Sequence, residues 1–411
     1  MENLARRVAI VGAGYAGMAA AVALAGRGVP VTVFEAGPVP GGRARRIVSQ
    51  GTALDNGQHL LIGAYKALCG VMREVGVPAD ALLRLPLQVH YAHGFALRSL
   101  RLPGRLGLLG GLLLARGIGP GERLAALRFM RSVQKEGYRL ESDITVRELL
   151  QAHRQDGRIG RYLWAPLCVS ALNTPVEQAS ARVFLAVLRD ALGAAPEASD
   201  LLLPRVDLSR LFPEPAAEYV RRNGGEVRLH SPVRQLEDLA AFSAVIVAVG
   251  PHQLEHLLPQ ASLEYSYQPI YTCYLQYPER VRLPFPMLGM AEGLVQWVFD
   301  RGALLGEKGR LACVISAQGD HQQMGHGELA AACHGELARV LQSLPAPDWS
   351  RVIAEKRATI ACVAGLRRPP LQIDGAVLAG DYTDPEYPPT LEAAVRSGLR
   401  AAQQVILKVP E

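Results

Sequence analysis

Apolar residues fall into three patterns along this chain. The first is the short unbroken run of β-type residues, at Val8–Val11, Val29–Phe34, Ala244–Val249 and Val377–Ala379. Such runs predict strands buried on both faces, as in a parallel sheet. Met18–Arg27 is Ala-rich and predicts a helix between the first two runs, which makes the opening a βαβ unit. Further strands are predicted at Gly224–Leu229 and Pro232–Arg234, and a helix after Pro388-Pro389 that runs through Ala402. The second pattern alternates. Tyr265 to Tyr277 switches between polar and apolar positions, with tyrosines at 265, 267, 271, 274 and 277, and Gln296–Phe299 is a short aromatic strand. Alternation predicts strands with two unlike faces, and these are expected to roof a pocket. The third pattern is a Leu/Gly run, 106–114, followed by a helix over Glu122–Tyr138 that opens at Pro120-Gly121. Leu124, Leu127 and Met130 recur on that helix at helical spacing.

Length and composition narrow the class. The chain has 411 residues, 49% of them hydrophobic, with 41 Gly and 28 Pro. That length predicts at least two domains, and the apolar content excludes a disordered chain. The six cysteines (69, 168, 273, 313, 333 and 362) form no CxxC, so neither a zinc pattern nor a redox pair is expected. They read as reduced packing cysteines of a cytoplasmic protein. No secretory signal and no apolar stretch of membrane-spanning length is expected.

Charge is more informative by place than by sum. The net charge is +6. Between 98 and 139 nine basic residues face only Glu122 and Glu136, a local +7 that leaves −1 for the rest. Flanked by Arg101, Arg105 and Arg116, the nine-residue Leu/Gly run is too short to span a bilayer but suits the headgroup region of an anionic membrane. Nucleic acid is excluded as a partner, because the segment has one aromatic, Phe129, between Arg98 and Arg131 and would expose its leucines for nothing.

The chemistry concentrates at four places. Gly12-Ala13-Gly14-Tyr15-Ala16-Gly17 follows the first strand, and Glu35 closes the second. Gly12 allows the tight turn, Gly14 lets the backbone approach a pyrophosphate, and Gly17 lets the helix pack close. The N–H groups around Ala16 at the helix start face the phosphates, and Glu35 accepts ribose hydroxyls. Ala36 then leads to Gly41-Gly42-Arg43, where the glycines let the chain pass a diphosphate that Arg43 can neutralise. A Gly-Gly-Arg shortly after the second strand resembles the pattern of the large flavoprotein superfamily, which implies FAD rather than NAD. Asp55-Asn56-Gly57-Gln58-His59 offers small and polar groups to a flavin ring. At the far end, Gly380-Asp381 ends a strand and Thr390-Leu391 opens a helix, a second arrangement suited to the ribityl chain and the flavin's pyrimidine edge. The arrangement is similar to that of large flavoproteins, and this resemblance implies that Val233 holds adenine through its backbone.

Taken together, GAGYAG with Glu35, GGRA at 41–44, DNGQHLLIGAY at 55–65, EKRAT at 355–359 and AGDYT…PPTLEAAVRSG at 379–398 resemble the hydroxysqualene dehydroxylases, relatives of phytoene desaturases and flavin amine oxidases. The resemblance implies an α/β fold: a Rossmann-like FAD-binding domain of the GR2 type with an interleaved α+β substrate domain. The expected FAD-binding domain is discontinuous, at 1–84, 206–260 and 371–411, with substrate-binding segments at 85–205 and 261–370. The implied reaction is reductive removal of an allylic hydroxyl from hydroxysqualene, a step of bacterial squalene and hopanoid biosynthesis. His59 is the expected acid and Gln58 its helper, with Tyr65, Tyr271 and Tyr274 as outside candidates. The expected location is the inner face of the cytoplasmic membrane, held there peripherally by 98–139. The alternatives are an isoprenoid desaturase or isomerase, or a flavin amine oxidase for which only Lys308 and Lys356 lie in a suitable region.

Overall fold

A computed structural model describes residues 7–407 except 93, 101, 103–105, 193–194 and 262. Arg101 and Arg105 therefore lie outside the described residues. Taken in chain order, the strands of the two main sheets and of one hairpin are β1 (Val8–Val11), β2 (Val31–Phe34), β3 (Arg46–Ser49), β4 (Thr52–Asp55), β5 (Glu226–Arg228), β6 (Ala244–Val247), β7 (Tyr267–Gln276), β8 (Met287–Gly289), β9 (Trp297–Asp300), β10 (Arg310–Ser316), β11 (Trp349–Ile360), β12 (Gln372–Ile373) and β13 (Ala376–Leu378). The helices that position the site are α1 (Tyr15–Ala25), α2 (Lys66–Glu74), α3 (Leu106–Leu114), α4 (Pro120–Lys135), α5 (Ala165–Leu172), α6 (Pro213–Arg222), α7 (Pro251–Leu257), α8 (His326–Ala338) and α9 (Leu391–Ile406).

The first sheet runs β5-β2-β1-β6-β13-β12 and is parallel except for the last pair. Its strands come from three distant stretches of chain. β1 is buried along its whole length, as the unbroken apolar run predicts. Every residue of α1 is buried as well. Alanine and glycine make this possible, because α9 crosses α1 closely enough that a Cβ on Gly398 would sit 2.1 Å from the Ala16 carbonyl oxygen.

Several element boundaries differ from the sequence expectation. α1 begins at Tyr15, not Met18, because the helix starts directly on the glycine turn. Pro232–Arg234 is not a strand. Here Ser231 N–H donates to the Glu35 carbonyl, and the segment crosses the ends of the parallel strands as a loop. β6 stops at Val247, and Pro251 opens α7.

The second sheet runs β8-β9-β10-β7-β11 and is antiparallel. Its alternation has a different outcome from the one expected. Tyr271, Cys273, Leu275 and Tyr277 face the core shared with α8, while Ile270 faces the cavity. Tyr274 lies on the other face from Tyr271, but its hydroxyl donates to the Asp55 carbonyl at 3.0 Å. None of the five tyrosines lines the cavity; Ile270, Met287, Trp297, Phe299 and Val314 do. The period of two turned Tyr271 and Tyr277 away from the cavity, into the core under α8.

α3 and α4 cover one end of the substrate region. α3 is amphipathic by size rather than by polarity. Two of its three glycines meet backbone: a Cβ on Gly107 would lie 2.4 Å from the Leu100 carbonyl oxygen, and one on Gly111 2.6 Å from that of Arg98. Leu108 and Leu112 are buried beside them, while Leu106, Leu113 and Leu114 point to solvent. Among the described residues, no helix is long and apolar enough to cross a membrane.

All six cysteines are free. Distant in sequence, three of them share one core: Cys273 pairs in register with Cys313, and Cys333 packs over them from α8.

Candidate functional site

One continuous cavity of about 1040 Å³ joins the two sheets. Its first part is the crevice at the carboxyl ends of β1 and β2, where an open parallel sheet binds ligands. Gly12 adopts a φ of +103°, and a Cβ there would approach the Ala248 carbonyl oxygen to 2.7 Å. Gly17 does not line the cavity; a Cβ on it would lie 1.9 Å from the Gly12 carbonyl oxygen, so its role is to let α1 pack on the turn. No side chain caps α1, which leaves its first-turn N–H groups directed at the crevice beside Gly14 and Ala16. This is a donor set suited to a diphosphate.

Glu35 and Ala36 line the same crevice. The Glu35 carboxylate accepts from Ala13 N–H at 2.9 Å and Gly37 N–H at 2.7 Å, which fixes it while each oxygen retains a lone pair. Gly42 passes so near Gly14 that a Cβ on it would lie 3.2 Å from the Gly14 Cα. Val233 reaches the same crevice from the loop after β5.

Arg43 lines the same cavity with its guanidinium paired inside the chain. Its guanidinium lies 2.7 Å from Asp381 Oδ1 and 2.5 Å from the Ala358 carbonyl oxygen. It neutralises the nearly buried Asp381 carboxylate. Gly380, Asp381, Thr390 and Leu391 all line the cavity. Thr390 also caps α9 by accepting from Ala393 N–H.

The 55–59 segment forms the wall where the crevice meets the second sheet. Asn56 donates to the Arg43 carbonyl and to Glu355. Gly57 takes φ +97°. Gln58 and His59 line the cavity. His59 Nδ1 lies 3.2 Å from the Gly57 carbonyl oxygen. A carbonyl only accepts, so Nδ1 carries the proton and Nε2 of the neutral ring is an acceptor. Burial, helped by the Arg43 charge and only partly opposed by the Gly57 contact, holds His59 below the ordinary imidazole range. His59 is therefore neutral at rest near pH 7, not a ready acid.

Of the outside candidates, Tyr65 lines the cavity and burial pushes its phenol up, whereas Tyr271 and Tyr274 do not line it. Sequence reading missed Arg301, which lies behind the 55–59 segment. Its Nη1 reaches Asp55 Oδ2 at 3.0 Å and Gln58 Oε1 at 3.1 Å, and Glu307 accepts from Nε and Nη2.

Beyond this wall the cavity becomes an apolar chamber of Tyr91, Leu108, Leu163, Leu167, Trp297 and Phe299. Leu108 belongs to α3, so that helix closes the far end. No lysine is among the lining residues described; Lys308 is exposed and pairs with Glu279, and Lys356 is exposed on β11.

The residues present fit FAD. Glycine approaches, uncapped helix N–H groups, the Glu35 carboxylate and polar groups at 57–59 and 380–391 line one cavity together, the donor and acceptor set that a dinucleotide flavin requires. Comparison with known proteins agrees. A sequence profile described as flavin containing amine oxidoreductase matches residues 15–406. The chain is 29% identical to the hydroxysqualene dehydroxylase of Rhodopseudomonas palustris over 98% of its own length and 99% of the relative's. It is also 29% identical to the enzyme of that name from Sinorhizobium fredii, over 97% of each chain. Its fold matches that of an oxidoreductase from Methanosarcina mazei with a TM-score of 0.73 at 14% identity, over 97% of this chain and 100% of the other.

Proposed function

Because this chain belongs to the flavin-containing amine oxidoreductase family and uses FAD, we propose that it reductively removes the allylic hydroxyl of hydroxysqualene, giving squalene and water. The observation that carries this reading is the continuity of the cavity, which runs from the dinucleotide crevice into an apolar chamber without a break. Similarity to hydroxysqualene dehydroxylases over nearly the whole chain supports it. The absence of lysine from the described lining speaks against the amine oxidase alternative.

Glu35 and Val233 hold the adenosine end of FAD, and the α1 N–H groups with Gly14, Ala16 and Gly42 hold its diphosphate. Asp381, Thr390 and Leu391 hold the ribityl and pyrimidine end, and Gly57, Gln58 and His59 meet the ring. Bound and reduced, FAD supplies the hydride equivalent that replaces the hydroxyl on carbon. The protein's own tasks are orientation, exclusion of water and management of one proton. An allylic C–O bond breaks readily only when the departing oxygen is hydrogen-bonded or protonated. Gln58 supplies the neutral donor to that oxygen. His59 takes a proton from solvent on Nε2 and delivers it, so that the hydroxyl leaves as water. A depressed pKa makes its conjugate acid a stronger donor.

The substrate is a lipid, and the 98–139 segment is the face that meets its membrane. Six of the nine exposed large hydrophobic residues described lie between 100 and 124, and Arg98, Arg116, Arg128, Arg131, Lys135 and Arg139 are exposed around them. Leucines in the acyl boundary and cations at the headgroups suit an anionic surface.

The test is anaerobic mixing of the purified, reduced holoenzyme with hydroxysqualene. Flavin reoxidation with stoichiometric squalene is expected. No reoxidation, or reduction of the oxidised enzyme by an isoprenoid polyene that it desaturates, would overturn the reading.

A further inference from the structure

The Arg301 guanidinium is 1% exposed, and every one of its nitrogens has a partner. Nε and Nη2 hold the Glu307 carboxylate, at 2.6 and 3.2 Å. The two N–H groups of Nη1 divide between Asp55 Oδ2, at 3.0 Å, and Gln58 Oε1, at 3.1 Å. Tyr274 stacks on the cation at 5.3 Å and hydrogen-bonds the Asp55 carbonyl. Burial favours the neutral guanidine, but Glu307, Tyr274 and Asp55 together hold it charged.

This geometry decides which way the Gln58 carboxamide points. Arginine has donors only, so the atom it meets on Gln58 must be the oxygen. Turning the amide over would press its NH₂ against a buried Nη1–H and leave both donors unpaired, which is strongly disfavoured. The backbone cannot relieve this, because Gln58 N–H is itself tied to Thr272 Oγ1 at 3.3 Å. The carboxamide NH₂ is thereby directed away from Arg301. Gln58 lines the cavity, where neutral His59 offers an acceptor.

We propose that Arg301 is a positioning residue that acts through Gln58, locking its carboxamide so that the NH₂ donors face the cavity and the departing oxygen of the substrate. The use made of those donors rests on the dehydroxylase reading; the locking itself does not. Arg301 comes from the end of β9 and Gln58 from the loop after β4, so the lock also ties the wall that follows the β3–β4 hairpin to the second sheet. Asp55 serves as the second anchor, because its other oxygen accepts from Leu208 N–H at 2.8 Å.

The test is a double-mutant cycle on the holoenzyme with Arg301→Lys, Gln58→Leu and both together. Lysine keeps the charge beside Asp55 and Glu307 but cannot serve both carboxylates and the amide at once. Arg301→Lys is expected to lower kcat about tenfold with little change in KM, and to have no further effect once Gln58 is leucine. In protein labelled with nitrogen-15 at glutamine, the carboxamide signal that Gln58→Leu removes is expected to shift in Arg301→Lys. Additive effects on kcat, or an unmoved carboxamide signal, would overturn the proposal. If Arg301→Lys fails to fold, Gln58→Glu decides. It keeps an acceptor for Arg301 and loses the donors, so a kcat within about twofold of wild type would overturn the proposal. If the wild-type enzyme does not turn over hydroxysqualene, the substrate reading falls, while the carboxamide signal still decides the lock.

Discussion

Two glycines of the first motif lie three residues apart and do different work. Gly14 has an ordinary extended conformation, and a Cβ on it would come no closer than 4.0 Å to Gly42 Cα. Gly17 has no such room, with the Gly12 carbonyl oxygen 1.9 Å from its ideal Cβ. Gly14→Ala should therefore leave apoprotein stability within about 0.5 kcal/mol and weaken FAD binding, whereas Gly17→Ala should destabilise the fold by about 1–3 kcal/mol. Denaturant unfolding and flavin titration of the two variants separate these outcomes. At His59 the proton-carrying form is the imidazolium, and its depressed pKa keeps that form scarce at pH 7. As pH falls below the ordinary value of 6.5 the imidazolium fraction grows, so kcat should rise toward acid. His59→Ala should abolish that rise and lower turnover about a hundredfold, within the span of general acid catalysis. Turnover within about twofold of wild type would remove His59 from proton transfer. The glycines, Glu35 and the 55–59 polar run were legible because each is a residue type tied to a local backbone demand. Arg301 was not. It lies 243 residues from Gln58 and is one of 39 arginines, and nothing local marks it as buried.

At the scale of elements, α3 shows how a Leu/Gly run resolves into two faces. Its glycine face is fixed by backbone contact, and its outward leucines touch nothing that the fold requires. Replacing Leu106, Leu113 and Leu114 together by Asn should change stability by no more than about 1 kcal/mol while sharply reducing flotation with anionic liposomes. Leu112→Ala, fully buried on the same helix, should cost about 2–5 kcal/mol. Equal recovery of wild type and triple variant in the soluble fraction would defeat the membrane assignment. The apolar runs correctly placed β1, β2, β6 and β13, because a strand covered on both faces needs an unbroken run. The alternating strands were found too, but not which face would meet the cavity. That choice depends on α8 covering the tyrosine-bearing face of β7, and no periodicity within β7 encodes it. Pro232–Arg234 misled as well: its residue types suit a strand, but Ser231 is tied to the Glu35 carbonyl and the segment runs on as a loop.

For the molecule as a whole, the dinucleotide crevice is assembled from chain stretches separated by most of the sequence. β1 and β2 supply one wall, β5 and β6 arrive from the middle, and β13 with α9 come near the far end. A ligand spanning the crevice therefore ties together three distant stretches and stabilises their union. The burial of α1 has a consequence for biosynthesis. Every residue of that helix is covered in the finished protein, partly by α9, whose Gly398 packs against Ala16. On the ribosome the partner of that face emerges long after α1 itself. The newly made helix must therefore wait, with an apolar face uncovered, until that distant stretch has been made.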